Sequence, residues 1–469
     1  MTASVLDLST RRRIHVVGVG GPGMSAIAIV LAQMGHVVSG SDVREVATLE
    51  SVRAAGVRVA IGHDASVVQG CDVVTVSTAI RATNVEWEAA VRSGVPVASR
   101  AEMLSAMCRL ATTVAVAGTH GKTTSASVLR AMLAPRFDPS FLIGGNVVDL
   151  GVGARWTGSQ LFVVEADESD GTHRQLPVSA ALVTNVDRDH LDHFGDFDAV
   201  VKSFADFVRD VTGPVVVCAD DPHLATLRGD RLVTYGSTNG DLKWSDVDYV
   251  DGRTRFTVKG TLTGSSSGSN RDVHLEHSVS IPLRGEHNVS NVTGCLALAV
   301  ALGADPDEAI AAVSDFGGVG RRFDVRAEFD DITLVDDYAH LPREIEAVLA
   351  AARTSESGRR LVAVFQPNRF NRMATMWPDY ASCFADADVV VIADIYSSGT
   401  DPIEGVTGRL VADAVSTTRD PATVHYVEAR SELADVVSGL LSPGDVCVSM
   451  GCGDVETLPD EIVAVRRGT

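Results

Sequence analysis

Residues 117–124, AGTHGKTT, set a lysine and two threonines directly after a glycine, between the apolar run TVAVAG and the helix-compatible run SASVLRAML. Backbone N–H groups at such a bend cradle phosphates, the Lys122 amine reaches β- and γ-phosphates, and the Thr123 hydroxyl suits Mg²⁺. Gly118, Thr119, His120, Gly121, Lys122, Thr123 and Thr124 are therefore the candidate ATP-binding residues. The full GxxxxGK[ST] pattern is not met, because Val116 occupies its first glycine position. The segment reads as a shortened phosphate loop; the plainer alternative is an exposed lysine in a glycine turn.

Acids and a histidine recur after later apolar runs. In VVEADESD (163–170) Glu165 stands at a strand end, where a Mg²⁺ ligand is useful, and TNVDRDHLD (184–192) carries His190 among several acids. The ends of parallel strands share one edge of a sheet, so such groups can converge. Any one of them alone reads equally as a solvated charge, and His190 as a satisfied loop histidine.

The first glycine loop of the chain lies near its start, the one at 117–124 being the second. GVGGPGM (18–24) follows RIHVV and precedes MSAIAIVLAQMG, giving Gly18, Gly20 and Gly23 in a GxGxxG arrangement, with Asp42 19 residues past Gly23. A tight turn ahead of a helix N-terminus binds a diphosphate, and an acid at that distance is placed for a ribose. A nicotinamide or flavin dinucleotide, another nucleotide diphosphate and a purely structural turn all remain open from these residues alone.

The elements that must position these groups are legible as nine short, nearly continuous apolar runs: RIHVVGV, DVVTVS, TVAVAG, LFVVEAD, AALVTNV, PVVVCAD, RLVAVF, DVVVIAD and DVCVSM. Such runs suit parallel strands buried on both faces, and their alternation with amphipathic stretches predicts an α/β chain with helical crossovers. Three sections separate, at 1–108, 109–321 and 322–469, the middle one holding a β-rich insert near 243–282 and helices at 288–302 and 306–314. GSSSGSN within the insert reads as a hairpin tip or loop. The length, 469 residues, suits several domains, and 45% hydrophobic with 22% charged residues suits a soluble globular chain. No apolar run is long enough to span a membrane and the N-terminus lacks a secretory pattern, so a cytoplasmic location is expected. Seven scattered cysteines without CxxC read as unreactive thiols in a reducing compartment. A net charge of −21 argues against a broad nucleic-acid surface and requires local cations for any anionic substrate.

Taken in order, HVVGVGGPGMSAIA, VSGSD, VVTVSTAI, SRAEML, AGTHGKTT, VEADESDG, TNVDRDHLDHFGDF, GEHNVSN, VGRRFD, DDYAHLPREI, FQPNRF and ADIYSSGTDPIEG resemble the Mur ligase family of peptidoglycan synthesis along essentially the whole chain. The resemblance implies three domains: a Rossmann-like domain binding a UDP-sugar, a central P-loop ATPase domain and a C-terminal Rossmann-like domain. It is nearest to the branch that ligates L-alanine to UDP-N-acetylmuramate, with ATP and Mg²⁺, through an acyl phosphate. A neighbouring branch attaches a recycled peptide to the same sugar nucleotide. The chain is expected to act as a monomer or homodimer. On this reading the first loop holds a UDP-sugar diphosphate rather than a redox cofactor. Its contacts would come from Gly18, Gly20, Gly21, Gly23, Met24, Ser41, Asp42 and Ser77. Thr123, Glu165 and His190 would serve Mg²⁺, Asn288 and Asn291 the adenine, and Arg322 the γ-phosphate. Asp336 or Asp337 would meet the ribose, the motif leaving the choice open with Asp336 favoured. Tyr338, His340, Arg369 and Arg372 would receive the amino acid. Lys122, His190, Arg322 and His340 are the expected catalytic groups, and Lys202 is expected on a surface helix. Two positions depart from the family pattern. Leu341 and Asn368 stand where histidines are usual, which bears on amino-acid selection and not on the phosphorylation half of the reaction.

Overall fold

The computed structural model describes residues 6–266 and 269–468, so the centre of the GSSSGSN segment lies outside the described residues. Two compact units are present: residues 1–245, 257–279 and 290–316 in the first, and 246–256, 280–289 and 317–469 in the second.

The first unit opens with a five-stranded parallel sheet. Its strands are β1 (Arg13–Val17), β2 (Val37–Asp42), β3 (Arg58–Ile61), β4 (Val73–Val76) and β5 (Val97–Ser99), ordered β3-β2-β1-β4-β5. The order reverses beside β1, so the crevice for a ligand lies at the C-terminal ends of β1 and β4. Helices α1 (Pro22–Gln33), α2 (Thr48–Ala54), α3 (Val85–Arg92) and α4 (Arg100–Cys108) connect these strands and lead out of the sheet. Val17, Val74 and Val76 pack with Ala89 and Ala90 of α3 on one face.

A ten-stranded sheet follows. Its strands are β6 (Thr112–Ala117), β7 (Ser140–Val147), β8 (Val152–Arg155), β9 (Leu161–Glu165), β10 (Ala180–Val183), β11 (Val215–Cys218), β12 (Leu232–Gly236), β13 (Leu242–Val250), β14 (Arg253–Ser266) and β15 (Ser269–Ile281). The order is β15-β14-β13-β12-β11-β10-β6-β9-β7-β8, with β6 at its centre beside β9 and β10. The expected β-rich insert forms β13 to β15. Helices α5 (Lys122–Phe137), α6 (Leu191–Phe194), α7 (Phe197–Asp210), α8 (Glu286–Ala301) and α9 (Pro306–Ser314) accompany this sheet, the last two close to the expected 288–302 and 306–314.

The second unit holds a six-stranded sheet of β16 (Asp324–Phe329), β17 (Ile332–Asp337), β18 (Leu361–Phe365), β19 (Val389–Ala393), β20 (Val424–Val427) and β21 (Val446–Met450). Its order is β16-β17-β21-β18-β19-β20, parallel except for the β16–β17 hairpin. Alternate residues of β18 enter opposite cores: Leu361, Ala363 and Phe365 on one face, Val362 and Val364 on the other. Burial of such a side chain contributes about 1.5–3 kcal/mol, so a strand buried on both faces needs the unbroken apolar run seen in its sequence. Helices α10 (Pro342–Ser355) and α11 (Phe370–Met376) follow β17 and β18 directly.

All seven cysteines are free, and burial pushes the Cys108 and Cys447 thiols up to about 12. Among the described residues, no helix is long and apolar enough to cross a membrane.

Candidate active site

Helix starts divide into two kinds. Asn84, Ser99, Asp196 and Asp305 cap α3, α4, α7 and α9 with side-chain oxygens. By contrast α1 and α5 begin after Gly21 and Gly121 with no capping side chain, as α2 and α11 also do, but of these only α1 and α5 follow the glycine loops. Their first N–H groups and positive dipole ends are thus left for an anion.

The second glycine loop joins β6 to α5 and is fastened to the end of β10. Thr119 N–H donates to Asn185 O (3.1 Å), His120 N–H to Asn185 Oδ1 (2.8 Å), and Thr184 Oγ1 to His120 O (2.7 Å). The His120 ring pairs with Asp187 at 2.9 Å, and Asp187 N–H donates to Thr119 Oγ1 (2.9 Å). Gly118 is fixed by this fastening. Its φ is +128°, and a Cβ there would stand 2.1 Å from Thr184 Oγ1. Asn291 of α8 packs against Gly121, while Asn288, third in the helix rather than at its cap, donates to Arg284 O at 2.7 Å.

Lys122 is the first residue of α5. Its Nζ lies 2.9 Å from both carboxylate oxygens of Glu168 and donates to Gly118 O (2.8 Å) and Thr119 O (3.2 Å). Burial works against the charged amine, but the surrounding carboxylates of Glu168, Asp167 and Glu165 outweigh it and hold Lys122 above the usual lysine range. Burial pushes Glu168 upward. One helical position on, Thr123 Oγ1 sits 3.0–3.1 Å from the Glu165 carboxylate, which also accepts Gly144 N–H (2.7 Å). Thr124 is buried beside it. His190 adopts φ +53°, pairs with Asp189 at 3.0 Å, and contributes to the field felt by Glu168. The edge formed by β6, β9 and β10 therefore gathers Lys122, Thr123, Glu165, Glu168 and His190. Lys202 is well apart in character, an exposed α7 residue paired with Asp206 (2.7 Å).

The first glycine loop is held from behind. Ser41 O accepts both Gly18 N–H (2.8 Å) and Val19 N–H (3.0 Å). Asp42 accepts Gly20 N–H at 2.8 Å, and a Cβ on Gly20 would meet that carboxylate at 2.8 Å. Asp42 thus shapes the loop it follows. The Ser41 hydroxyl is buried and donates to Glu86 (2.6 Å), which also accepts Asp64 N–H (3.0 Å) and meets the His15 and His63 rings at 3.4 and 3.1 Å. Met24 is a core residue of α1, Gly21 N–H donates to Gly18 O (3.2 Å), and Gly23 lies in the first turn of α1. Ser77 follows β4 beside Gly18. A cavity of about 440 Å³ runs from Pro22 and Ser25 of α1, past Thr48 of α2, to Gly144 and Gly153.

In the second unit the two neighbouring arginines share the Tyr338 ring but differ in their partners. Arg321 is bound to Asp336 (2.8 Å), Glu456 (2.9 Å) and Gly451 O (2.7 Å). Arg322 has no carboxylate partner among the described residues; its guanidinium stands 5.2 Å from the Tyr338 ring centre. Asp336 is buried on Arg321, whereas Asp337 accepts Phe323 and Ala339 N–H (2.7 Å each) and is pushed up to about 6 by burial despite Arg322. His340 Nδ1 lies 3.1 Å from Tyr338 O and 3.2 Å from Glu344. Leu341 is buried at the start of α10. Asn368, also buried, accepts a hydrogen bond from Arg372 at 2.9 Å, and Arg369 starts α11 with φ +62°. Arg369, Arg372 and Arg321 all contribute to the field at Cys452, so the cations gather around the end of β21.

Sequence reasoning missed Thr184, Asn185, Asp187, Glu168, Glu86 and Arg321 as parts of the machinery. Only the clustering of polar residues after β10 hinted at the first three.

Comparison with known proteins bears on all three sheets. Residues 13–112 match the Mur ligase family catalytic domain, 116–299 the Mur ligase middle domain, and 321–453 the Mur ligase, glutamate ligase domain. The chain is similar to the UDP-N-acetylmuramate–L-alanine ligase of Xanthobacter autotrophicus, 42% identical over 97% of either chain. It is likewise 42% identical to that of Rhodopseudomonas palustris strain TIE-1, over 96% of this chain and 98% of that one. The crystal structure of the Thermotoga maritima UDP-N-acetylmuramate–alanine ligase superposes with a TM-score of 0.80 at 26% identity, covering 98% of this chain and 100% of that one. With α/β sheets in the expected architecture and identity sustained along its length, the chain belongs to the Mur ligase family.

Proposed function

We propose that the protein ligates L-alanine to the carboxylate of UDP-N-acetylmuramate with hydrolysis of ATP, acting in the cytoplasm in peptidoglycan synthesis. The observation that carries the reading is the Lys122–Thr123–Glu165–Glu168 constellation at an uncapped helix start, in a chain 42% identical over 97% of its length to a ligase of that name. The division into residues 1–108, 109–321 and 322–469 follows the same reading.

A carboxylate is a poor acyl donor, since its leaving group would be oxide. Attack of its oxygen on the γ-phosphorus, with ADP leaving, gives an acyl phosphate. The alanine amine then attacks the acyl carbon and phosphate departs. Two anions must meet in the first step, so cations between them lower its barrier. Lys122 is assigned to the phosphates, as is Arg322. The Thr123 hydroxyl and Glu165 carboxylate, adjacent hard oxygen donors, fit Mg²⁺, which keeps several waters and needs few protein ligands. When bound there, the ion would neutralise phosphate charge; His190 is assigned nearby. Among the described residues no three His, Cys, Asp or Glu side chains form a closed metal cage. Asn288 and Asn291 are assigned to the adenine side and Asp336 to the ribose side. Tyr338, His340, Arg369 and Arg372 are assigned to the amino acid, with Arg372 oriented by Asn368.

Phosphate release with ATP, Mg²⁺ and UDP-N-acetylmuramate is expected only when an amino acid is added, with L-alanine preferred in a panel including glycine, serine and the recycled peptide. Absence of release with every acceptor would overturn the reading.

A further inference from the structure

Arg100 is the first residue of α4, so its positive charge stands at the positive end of the helix dipole, where acids are favoured. Its guanidinium spans two parts of the first unit. Nη2 is anchored by Asp170 (3.1 Å), Asp167 (3.5 Å) and Thr172 (3.5 Å), in the segment that follows Glu165. Nη1 points the other way, to within 3.3 Å of where a Cβ on Gly23 would stand, against the first turn of α1. That edge has no hydrogen-bond partner among the described residues. A guanidinium with one edge fixed by carboxylates and the other open beside an uncapped glycine-loop helix is a preorganised anion donor.

Resting on the function proposed above, we infer that Arg100 is a binding residue for the diphosphate of the sugar-nucleotide substrate, donating from Nη1 while Asp167 and Asp170 hold Nη2. Asp167 also lies in the field of Lys122. Arg100 therefore ties the place of the diphosphate to the phosphate-transfer loop. A Cβ on Gly23 would stand 3.3 Å from Nη1, so the absence of a side chain there keeps the approach open.

The test is calorimetric binding of UDP, UDP-N-acetylmuramate and ATP to the full chain and to the variants Arg100→Ala and Asp170→Asn. The second variant keeps a side-chain oxygen to accept Thr172 N–H (3.0 Å) while removing one of the charges that anchor Nη2. Arg100→Ala is expected to weaken UDP and UDP-N-acetylmuramate at least tenfold with ATP within twofold. Asp170→Asn leaves Asp167 and Thr172 on Nη2 and is expected to weaken both uridine ligands far less than Arg100→Ala does. Unchanged binding in Arg100→Ala would overturn the assignment. So would a loss confined to UDP-N-acetylmuramate, which would place the contact on its carboxylate. Equal weakening in both variants would show a structural pair instead. If the parent binds neither uridine ligand, the proposed function itself falls, a result distinct from parent binding that ignores Arg100.

Discussion

Replacing Lys122 by Ala separates its two roles. Nζ is a largely buried cation bonded to Glu168 and two loop carbonyls. A unit charge about 4 Å from a phosphoryl oxygen, at an effective dielectric of about 20, is worth about 4 kcal/mol. At about 1.36 kcal/mol per decade this predicts a fall of roughly a thousandfold in turnover. The same change leaves Glu168, 2% exposed, without its cation, at a cost of about 3–5 kcal/mol. Burial already pushes Glu168 upward, so it takes up a proton more readily once Lys122 is gone. The stability deficit should therefore shrink as pH falls and be fullest at neutral pH and above. Adding Glu168→Gln removes the orphaned charge. The double variant should regain most of the melting temperature and none of the activity. Phosphate release and thermal melting across about pH 5–8 give both readouts. Activity within tenfold of the parent in Lys122→Ala, or activity restored in the double variant, would refute the assigned role.

Other consequences are smaller. Gly118→Ala should abolish nucleotide binding, since its Cβ would stand 2.1 Å from Thr184 Oγ1 at φ +128°; ATP calorimetry with a fold check by circular dichroism decides it. Asn368→Ala frees Arg372 from a charge-assisted hydrogen bond worth about 1.5–3 kcal/mol, so KM for alanine should rise by about tenfold or more while KM for ATP stays put. Burial opposes the charge on Glu86, but hydrogen bonds from His15, Ser41 and Asp64 outweigh it and hold this carboxyl at about 2, below its ordinary 4.5. Its contribution to stability is present above about 4.5 and is lost as pH falls toward 2, so Glu86→Gln should flatten acid melting curves in that window. Chelation with EDTA should stop phosphate release and added Mg²⁺ should restore it, if Thr123 and Glu165 hold the ion.

Legibility in the sequence tracks local repetition. All nine apolar runs are strands, because strands buried on both faces leave an unbroken local signal. The β16 strand, DVRAEF, carries no such signal: it is an edge strand with polar residues and a register shift near Val325. Both glycine loops are visible because glycine, lysine and hydroxyl spacing is itself local. What holds them is not. The Thr184–Asn185–Asp187 fastening joins residues more than sixty positions apart, and such contacts carry no periodicity. Likewise the motif RRF does not say which arginine pairs with Asp336; the fold makes that Arg321, while both guanidinium groups stand over the Tyr338 ring. The spacing of Asp42 suggests a ligand-facing acid, and the structure shows it also bracing Gly20.

In the proposed reaction the sugar-nucleotide carboxylate is activated as an acyl phosphate. The direct measurement uses UDP-N-acetylmuramate labelled with ¹⁸O in that carboxylate, with ATP, Mg²⁺ and L-alanine, and mass analysis of the released phosphate. One labelled oxygen per phosphate is the predicted result. Unlabelled phosphate released alongside the ligated product would rule out an acyl phosphate on that carboxylate.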